Sequence, residues 1–299
     1  MTCDTTTNLH GKVIVVTGGS SGMGFAAAKN LASHGARVII TSRNETKLKA
    51  AQHHIIEATG NYNVEYKTVD LGSLKSVRNL ASELNAEDQI NVLINNAGAV
   101  GLPDRMTPDH LNLNMQVNYF GTFLLTFLLL PKLKASAPSR ILNGVGAAMY
   151  FGEINFDHWN DVGRYDIVKA LGSSELAINL FNEELSRKLR YDGVTANAYD
   201  PFVVRDTDIL QNLSGIVKKI SKLFINVVGQ SREDAGREIA YLASAPELEG
   251  VSGNLYKFCH KFKNHWLVND RHLTKRLWEE SKKAVKITKY EDWEHHDSK

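Results

Sequence analysis

Short apolar runs alternate along the chain with longer segments in which apolar residues recur at helical spacing. The runs predict strands at residues 12–17, 36–41, 63–70, 90–96, 139–145, 193–199 and 254–259. Helical segments fill the intervals between them. This alternation predicts an α/β fold, a doubly wound parallel sheet of about seven strands with helices on both faces.

Neither a repeat nor a linker rich in Pro, Gly and Ser interrupts the pattern, so we expect a single domain over residues 11–285. Residues 1–10 and the charged residues 286–299 are expected to form loose tails. The net charge of +2 favours neither a nucleic-acid partner nor an anionic membrane. Two cysteines, Cys3 and Cys259, do not make a disulfide framework, which favours a reducing compartment.

The densest apolar run, residues 123–130, is too short to span a bilayer and indicates a buried helix. The first residues of the chain contain no apolar region of the signal-peptide type. We therefore expect a cytoplasmic protein with no stable membrane span.

The sequence VVTGGSSGMG lies between the first predicted strand and the first predicted helix. Glycine permits a tight turn and a close approach to a pyrophosphate, and the N-terminus of the helix presents N–H groups to it. This context predicts a Rossmann-type dinucleotide site, and a glycine-rich turn without a ligand is the alternative. The residues expected to contact the dinucleotide here are Gly18, Ser20, Ser21, Gly22, Met23 and Gly24.

The end of the second predicted strand indicates which dinucleotide binds. An acidic residue there would accept hydrogen bonds from a ribose 2′-hydroxyl, but the chain has Ser42 followed by Arg43. Because a guanidinium suits a 2′-phosphate, NADP is favoured over NAD. After the third strand, Asp70, followed by Leu71, is a candidate acceptor for the adenine amino group or an N-cap of the next helix.

Three motifs resemble the short-chain dehydrogenase/reductase (SDR) family: TGGSSGMG, NNAG at residues 95–98 and NYFG at residues 118–121. Segments such as LINNAGAV and SGNLYKFC are similar to its retinol-dehydrogenase-like branch, and the resemblance covers roughly residues 11–285. The resemblance implies further cofactor contacts from Asn96, Ala97, Gly98, Asn118, Pro201 and Thr207.

The same resemblance implies four catalytic groups: a Ser that orients the substrate, a Tyr that moves a proton, a Lys that lowers the pKa of the Tyr, and an Asn. Only the Asn is in register, at Asn118. Without a gap, the Ser position falls on Gly146, the Tyr position on Leu171 and the Lys position on Glu175. The sequence therefore predicts a degenerate catalytic set, in which Glu175 could still accept hydrogen bonds from ribose hydroxyls.

A tyrosine and a lysine with the family's mutual spacing, Tyr165 and Lys169, lie six residues before that register. On a helix this offset is a rotation of about 120° and a shift of roughly 9 Å. We therefore predict that the pair faces elsewhere and is not catalytic, with Tyr165 packed at the helix entry and Lys169 in solvent.

Three functions remain open. The pattern favours an NADP-binding pseudoenzyme with a binding or regulatory role. The reason is that the Tyr that donates the proton, the Lys that lowers its pKa and the Ser that orients the substrate are all replaced. A second possibility is a non-redox lyase, isomerase or cyclase acting on a small lipophilic substrate. Its candidate acid–base groups are Asp200, Tyr199, Tyr150, His158 and Glu175. The third is an NADP-dependent oxidoreductase of the retinol-dehydrogenase-like type, which uses water or the pair Tyr165 and Lys169.

Two apolar helices, at residues 118–130 and from Leu171 onward, correspond to those through which related proteins pair. We therefore expect a homodimer, and burial of these runs against the sheet is the alternative. Residues 202–228 predict an amphipathic lid over a hydrophobic pocket, so the expected ligand is a small lipophilic molecule.

Overall fold

A single sheet of eight strands runs through the computed structural model, which describes residues 3, 4, 6–202, 204 and 229–295. The strand order is β3-β2-β1-β4-β5-β6-β7-β8. Neighbouring strands pair in parallel from β3 to β7, and β8 pairs antiparallel with β7. The strands are β1 Val13–Thr17, β2 Arg37–Ser42, β3 Val64–Thr68, β4 Val92–Asn95, β5 Ser139–Gly144, β6 Val194–Tyr199, β7 Leu255–Lys257 and β8 His260–Phe262.

Helices cover both faces of the sheet, which confirms the predicted α/β doubly wound fold. One apolar core lies between the sheet and α3, α4, α5 and α7, and the other lies beneath α1, α2 and α6. Alternate residues of β1 enter the two cores, as the two-residue repeat of a strand requires. The helices are α1 Gly22–Ser33, α2 Glu45–Thr59, α3 Leu74–Asn85, α4 Leu113–Ala135, α5 Ile167–Lys188, α6 Arg232–Ser244 and α7 Arg271–Ala284.

Strand β8 is the element that the hydrophobic pattern does not predict. Its three residues are all exposed, so no alternation marks them. The turn that precedes it places Phe258 and Cys259 at φ values of 52° and 61°. Hairpin turns with such backbone angles usually contain Asn or Gly, so this turn lacks its ordinary signature.

Helix α4 is longer than the apolar run that predicts it. With 23 residues and a mean hydropathy of 1.3 in its most apolar window, it has the length and composition of a membrane span. However, 89% of that window is buried inside the protein. Within the described part of the chain, α4 is therefore a core helix, although the argument from the length of the run was wrong.

The C-terminal helix α7 covers the apolar faces of α4 and α5. Trp278 of α7 is 1% exposed, and its ring centroid lies 5.4 Å from that of Phe123 and 5.8 Å from that of Phe181. The two faces are thus buried within the chain, which was the alternative to dimerisation. The homodimer stays a prediction, and it no longer has these faces to support it.

The described residues near both ends of the chain are tied to the domain more firmly than loose tails would be. Cys3 and Cys259 form a disulfide with Cα atoms 5.9 Å apart, so the reducing compartment loses the support that it drew from these two cysteines. At the other end, Glu291 pairs with Arg78 at 2.7 Å, and Glu294 accepts a hydrogen bond from Nε1 of Trp278 at 3.0 Å.

We expect the Trp278→Ala variant to lose about 3–5 kcal/mol of unfolding free energy, because the ring fills the space between α4, α5 and α7. Urea unfolding followed by circular dichroism measures the loss. The matched control is Trp266→Ala, since Trp266 is 62% exposed and should cost under about 1 kcal/mol. Equal losses in the two variants would contradict this account of the core.

Candidate functional site

A cleft of about 560 Å³ opens at the carboxyl ends of the parallel strands, where open α/β sheets bind ligands. The residues that the sequence predicts for the cofactor line this one cleft, with the exception of Thr207, which lies outside the described residues. They are Gly18, Ser20, Ser21, Gly22, Met23, Gly24, Ser42, Arg43, Asp70, Leu71, Asn96, Ala97, Gly98, Asn118 and Pro201.

The glycine-rich loop packs against the loop that follows β4. A Cβ on Gly24 would lie 2.4 Å from Nδ2 of Asn96 and 2.6 Å from the carbonyl oxygen of Gly18. Gly18 itself has a φ of 70°, which a side chain disfavours. Ser21, the N-cap of α1, makes no side-chain cap, so the first N–H groups of the helix remain available to an anion.

Ser42 and Arg43 lie at the end of the cleft formed by β2 and α2. Ser42 Oγ is buried and has no hydrogen-bond partner among the described residues, and the Arg43 side chain is exposed at the mouth of the cleft. Lys47 lines the same end and was not predicted. Its signal is local, because Asn44 is the N-cap of α2 and its side chain accepts from the Lys47 amide at 2.9 Å, which places Lys47 in the first turn.

Asp70 lies at the edge of the cleft after β3. Its Oδ1 accepts a hydrogen bond from the Gly72 amide at 2.9 Å. The N-cap of α3 is Ser73, whose side chain accepts from the Ser76 amide. The alternative role of Asp70 as the N-cap was therefore wrong.

Asn118 lies in a π-helical stretch of α4, Gln116–Phe120, a feature frequent at functional sites. Its Oδ1 accepts from the Ala99 amide at 2.8 Å, and its Nδ2 donates to the Ala99 carbonyl at 2.9 Å. Both polar atoms of the side chain thus hold the loop after β4. In this arrangement Asn118 positions that loop.

Gly146, Leu171 and Glu175 all line the other end of the cleft. Oε2 of Glu175 accepts a hydrogen bond from the Gly146 amide at 2.8 Å. Burial raises the pKa of Glu175 to about 7, against the lowering effect of this hydrogen bond and with a further increase from the charge of Asp200. A carboxyl group that is half protonated near neutral pH therefore faces the cleft.

Backbone contact sets the register of α5 against the segment after β5. A Cβ on Gly152 would lie 2.2 Å from the Gly172 carbonyl oxygen, and a Cβ on Gly172 would lie 2.4 Å from the Ala148 carbonyl oxygen. Ser173 Oγ accepts from the Glu153 amide at 3.1 Å. These contacts leave α5 little freedom to slide or rotate, so its cleft-facing residues are determined by the packing of glycines.

Tyr165 and Lys169 do not line the cleft among the residues described. Helix α5 begins at Ile167, so Tyr165 precedes it and Lys169 lies in its first turn. The Tyr165 hydroxyl donates to Oε1 of Glu153 at 2.8 Å, and Nζ of Lys169 pairs with Oε2 of the same Glu153 at 2.7 Å. Burial and this hydrogen bond raise the pKa of Tyr165, which does not suit a proton donor at neutral pH.

Asp200 and Tyr199, at the end of β6, lie behind the cleft wall. Asp200 pairs through Oδ2 with Nζ of Lys257 at 3.2 Å and accepts the Phe202 amide through Oδ1 at 2.7 Å. The buried Tyr199 hydroxyl donates to Oδ1 of Asn96 at 3.3 Å. Both groups have structural partners, as buried polar groups require.

Tyr150 and His158 are also absent from the described lining of the cleft. The Tyr150 ring stacks 6.3 Å from that of Trp266, and Nδ1 of His158 contacts Oδ2 of Asp161 at 2.8 Å. Of the acid–base groups predicted for a lyase or isomerase, Glu175 alone lines the described part of the cleft.

The predicted lid, residues 202–228, falls mostly outside the described residues. Phe202 and Val204 are described, and both line the cleft beside Pro201. The side chain of Gln230 donates to the Pro201 carbonyl at 2.7 Å. An apolar wall is thus present at the end of the cleft where Leu171 and Glu175 lie.

A second cavity, of about 660 Å³, opens at the amino ends of the strands around Arg140. The Arg140 guanidinium donates to the carbonyls of Leu242 and Ala245 at 3.1 and 2.7 Å and thereby caps the end of α6. This edge of an α/β sheet is not where ligands ordinarily bind. The carboxyl-end cleft is therefore the candidate site.

Comparison with known proteins matches the chain to a family described as short chain dehydrogenase, over residues 12–215. Retinol dehydrogenase 13 of Homo sapiens is 38% identical over 291 residues, covering 95% of this chain and 87% of that protein. Retinol dehydrogenase 12 of Homo sapiens is 38% identical over 280 residues, covering 92% of this chain and 87% of that protein.

Solved structures show the same fold. An uncharacterized protein from Mycobacterium paratuberculosis superposes with a TM-score of 0.75 at 27% identity, covering 96% of this chain and 97% of that chain. A short chain dehydrogenase from Shigella flexneri, solved in complex with NADP, has a TM-score of 0.66 at 22% identity and covers 85% of this chain and 99% of that chain.

The raised pKa of Glu175 predicts how stability depends on pH. Because the pKa is about 7 in the folded chain and 4.5 ordinarily, the folded state holds this proton more tightly, and the unfolding free energy falls as the pH rises between those values. The Glu175→Gln variant lacks this titration. We expect its stability relative to the wild type to increase by up to about 3 kcal/mol across that window.

Urea unfolding of both proteins at a series of pH values measures this difference. Using the difference removes the contribution of the other carboxyl groups, which are common to the two proteins. A difference that does not change with pH would contradict the raised pKa.

Proposed function

We propose that this chain, which belongs to the short chain dehydrogenase family, is a nicotinamide-dependent oxidoreductase that interconverts a lipophilic alcohol and its carbonyl compound. The family match covers residues 12–215, and relatives named retinol dehydrogenase are similar along up to 95% of the chain. The sequence pattern favours a non-redox role, but these relatives favour the oxidoreductase. The observation that carries the proposal is the single cleft joining the glycine-rich loop to the Glu175 carboxyl group.

NADP is the cofactor that the residues of the cleft suit best. Ser42 Oγ is buried without a hydrogen-bond partner in the described part of the chain and can donate to a phosphate oxygen. Arg43 and Lys47 bring positive charge to the same end. The glycine-rich loop packs against the loop after β4 at Gly18 and Gly24, and the first N–H groups of α1 remain available to a pyrophosphate. A bound nicotinamide supplies or accepts the hydride. The residues of the chain bind and orient the nicotinamide and transfer the proton.

The substrate end of the cleft is apolar. Val145, Leu171, Phe202 and Val204 line it, and these side chains favour a hydrocarbon chain or ring over a sugar or a phosphate. Together with the names of the relatives, this supports a retinoid-like alcohol or aldehyde as the substrate class.

A second candidate is a non-redox binding protein that keeps the cofactor without turnover. The observation in its favour is the chemistry of three side chains that line the cleft. Gly146 has no hydroxyl to orient a substrate, Leu171 has no acidic proton to donate, and Glu175 is an acid where the family resemblance implies a lysine. Each ordinary contribution of a general acid is worth about 10²–10⁴-fold in rate. The two candidates differ in whether Glu175 can supply the missing chemistry.

Cofactor preference is tested at Arg43. We expect Arg43→Ala to weaken NADPH binding about tenfold, because it removes a charged donor to the 2′-phosphate, and to leave NADH binding unchanged. Isothermal titration calorimetry measures both. Arg271→Ala, an exposed arginine at the start of α7, is the control and should alter neither affinity. Equal weakening of NADPH and NADH would count against the assignment of a 2′-phosphate site.

Turnover separates the two candidate functions. We expect the wild type to oxidise NADPH in the presence of retinal, and the loss of NADPH absorbance measures this. The Tyr165→Phe variant should react at the wild-type rate, because the Tyr165 hydroxyl bonds Glu153 outside the cleft. The triple variant Gly146→Ser, Leu171→Tyr, Glu175→Lys restores the family's ordinary groups and shows whether the cleft can support the reaction. Turnover by the triple variant alone, with none in the wild type, would favour the binding protein.

A further inference from the structure

We propose that Glu175 is the catalytic acid and base of this cleft, exchanging a proton directly between its carboxyl group and the substrate oxygen. This assignment rests on the oxidoreductase function proposed above. Leu171 stands at the position where the family resemblance implies the proton-donating Tyr, so another residue must carry the proton. The assignment gives this role to Glu175, at the position where the resemblance implies a lysine.

The position of the carboxyl group is the first support. The segment after β5 approaches α5 so closely that the Gly146 amide bonds Oε2 of Glu175 at 2.8 Å. A Cβ on residue 146 would lie 3.8 Å from Oε1. The carboxyl group therefore sits beside the point where the resemblance places the substrate-orienting hydroxyl, on the wall of the cleft.

The chemistry of the neighbours is the second support. At the end of the cleft formed by β5, β6 and α5, Glu175 is the only titratable side chain in the described lining; Arg43, Lys47 and Asp70 lie at the opposite end. A substrate oxygen held there has no other described side chain from which to take a proton.

The surroundings of Glu175 on balance favour its protonated form. Burial raises the pKa of Glu175, and the charge of Asp200 at the end of β6 raises it further, whereas the hydrogen bond from the Gly146 amide lowers it. Burial also raises the pKa of Tyr199 on β6, and Lys257 of β7 is paired with Asp200 at 3.2 Å. Asn118 of α4 and Gly146 after β5 carry no charge, so the proton is retained up to about neutral pH.

The proton balance is complete with the cofactor as the only redox partner. In the reducing direction, a bound NADPH would supply the hydride that forms the new C–H bond at the carbonyl carbon. As the C=O π bond breaks, its electron pair forms an O–H bond with the proton of Glu175, which becomes a carboxylate. The carboxylate then takes up a proton from bulk solvent. In the oxidising direction, the carboxylate accepts the hydroxyl proton, and a bound NADP⁺ would accept the hydride.

Glu175→Gln tests the assignment, since the amide keeps the size of the side chain and cannot give up a proton in this way. We expect kcat for retinal reduction to fall about 10²–10⁴-fold, with KM and the NADPH dissociation constant within about twofold of the wild type. In the wild type, kcat for reduction should fall and kcat for oxidation should rise as the pH passes through about 7. The variant should show neither dependence.

The matched control is Glu183→Gln, the same change on the same helix. Glu183 lies outside the cleft lining and pairs with Arg187 at 3.2 Å. We expect it to leave kcat and its pH dependence unchanged. A comparable loss of kcat in both variants would overturn the assignment, because it would show a general effect on α5.

Infrared difference spectroscopy gives a readout that does not depend on turnover. With ¹³C-labelled glutamate and saturating NADP⁺, the wild type minus Glu175→Gln spectrum should contain the C=O stretch of a carboxylic acid, lost with a midpoint near pH 7. A spectrum with only carboxylate bands below that pH would overturn the proposal.

The outcomes also separate this assignment from the proposed function. If wild type and Glu175→Gln reduce retinal with equal kcat and equal pH dependence, the oxidoreductase stands and the assignment fails. If Glu175→Gln mainly weakens NADPH binding and keeps kcat, Glu175 holds the ribose, and the assignment also fails. If the wild type binds NADPH but transfers no hydride, the proposed function fails and the assignment falls with it.

Discussion

The close contact of Gly152 with Gly172 determines what the cleft contains. With a hypothetical Cβ on Gly152 only 2.2 Å from the Gly172 carbonyl, the segment after β5 and helix α5 touch backbone to backbone. Because α5 has 3.6 residues per turn, a shift of one residue would rotate it by about 100° and replace both cleft-facing side chains. This contact therefore places Leu171 and Glu175 in the cleft and keeps Tyr165 and Lys169 at the helix entry.

That register is also the feature of the site most open to prediction from the sequence. The ungapped family resemblance implies it, and the apolar residues along α5 agree with it because they must meet the core at helical spacing. The glycine-rich loop is equally predictable, because its backbone geometry requires glycine at Gly18 and close packing requires it at Gly24. In both cases the constraint is local and leaves a mark on the sequence.

Features that depend on distant parts of the chain leave no such mark. Cys3 and Cys259 are 256 residues apart, and nothing near either one indicates its partner. The covering of α4 and α5 by Trp278 likewise follows from where the chain returns after β8, not from the pattern of those helices.

The two ends of the cleft differ in how far they keep ordinary dinucleotide chemistry. At the end formed by β1 and β2, glycines, Ser42 and Arg43 suit a phosphorylated dinucleotide. At the other end, Gly146, Leu171 and Glu175 line the cleft together. A lysine at residue 175 would have no phenol at residue 171 to tune, whereas a carboxyl there finds the Gly146 amide at 2.8 Å.

A Cβ on residue 146 would lie 3.7 Å from the Glu175 carboxyl carbon, in ordinary van der Waals contact, so residue 146 lies directly beside the carboxyl group. Burial of that carboxyl group favours its protonated form. The Gly146 amide and the burial of Glu175 thus act on one carboxyl group at the wall of the cleft, and this arrangement supports the acid–base role proposed for Glu175.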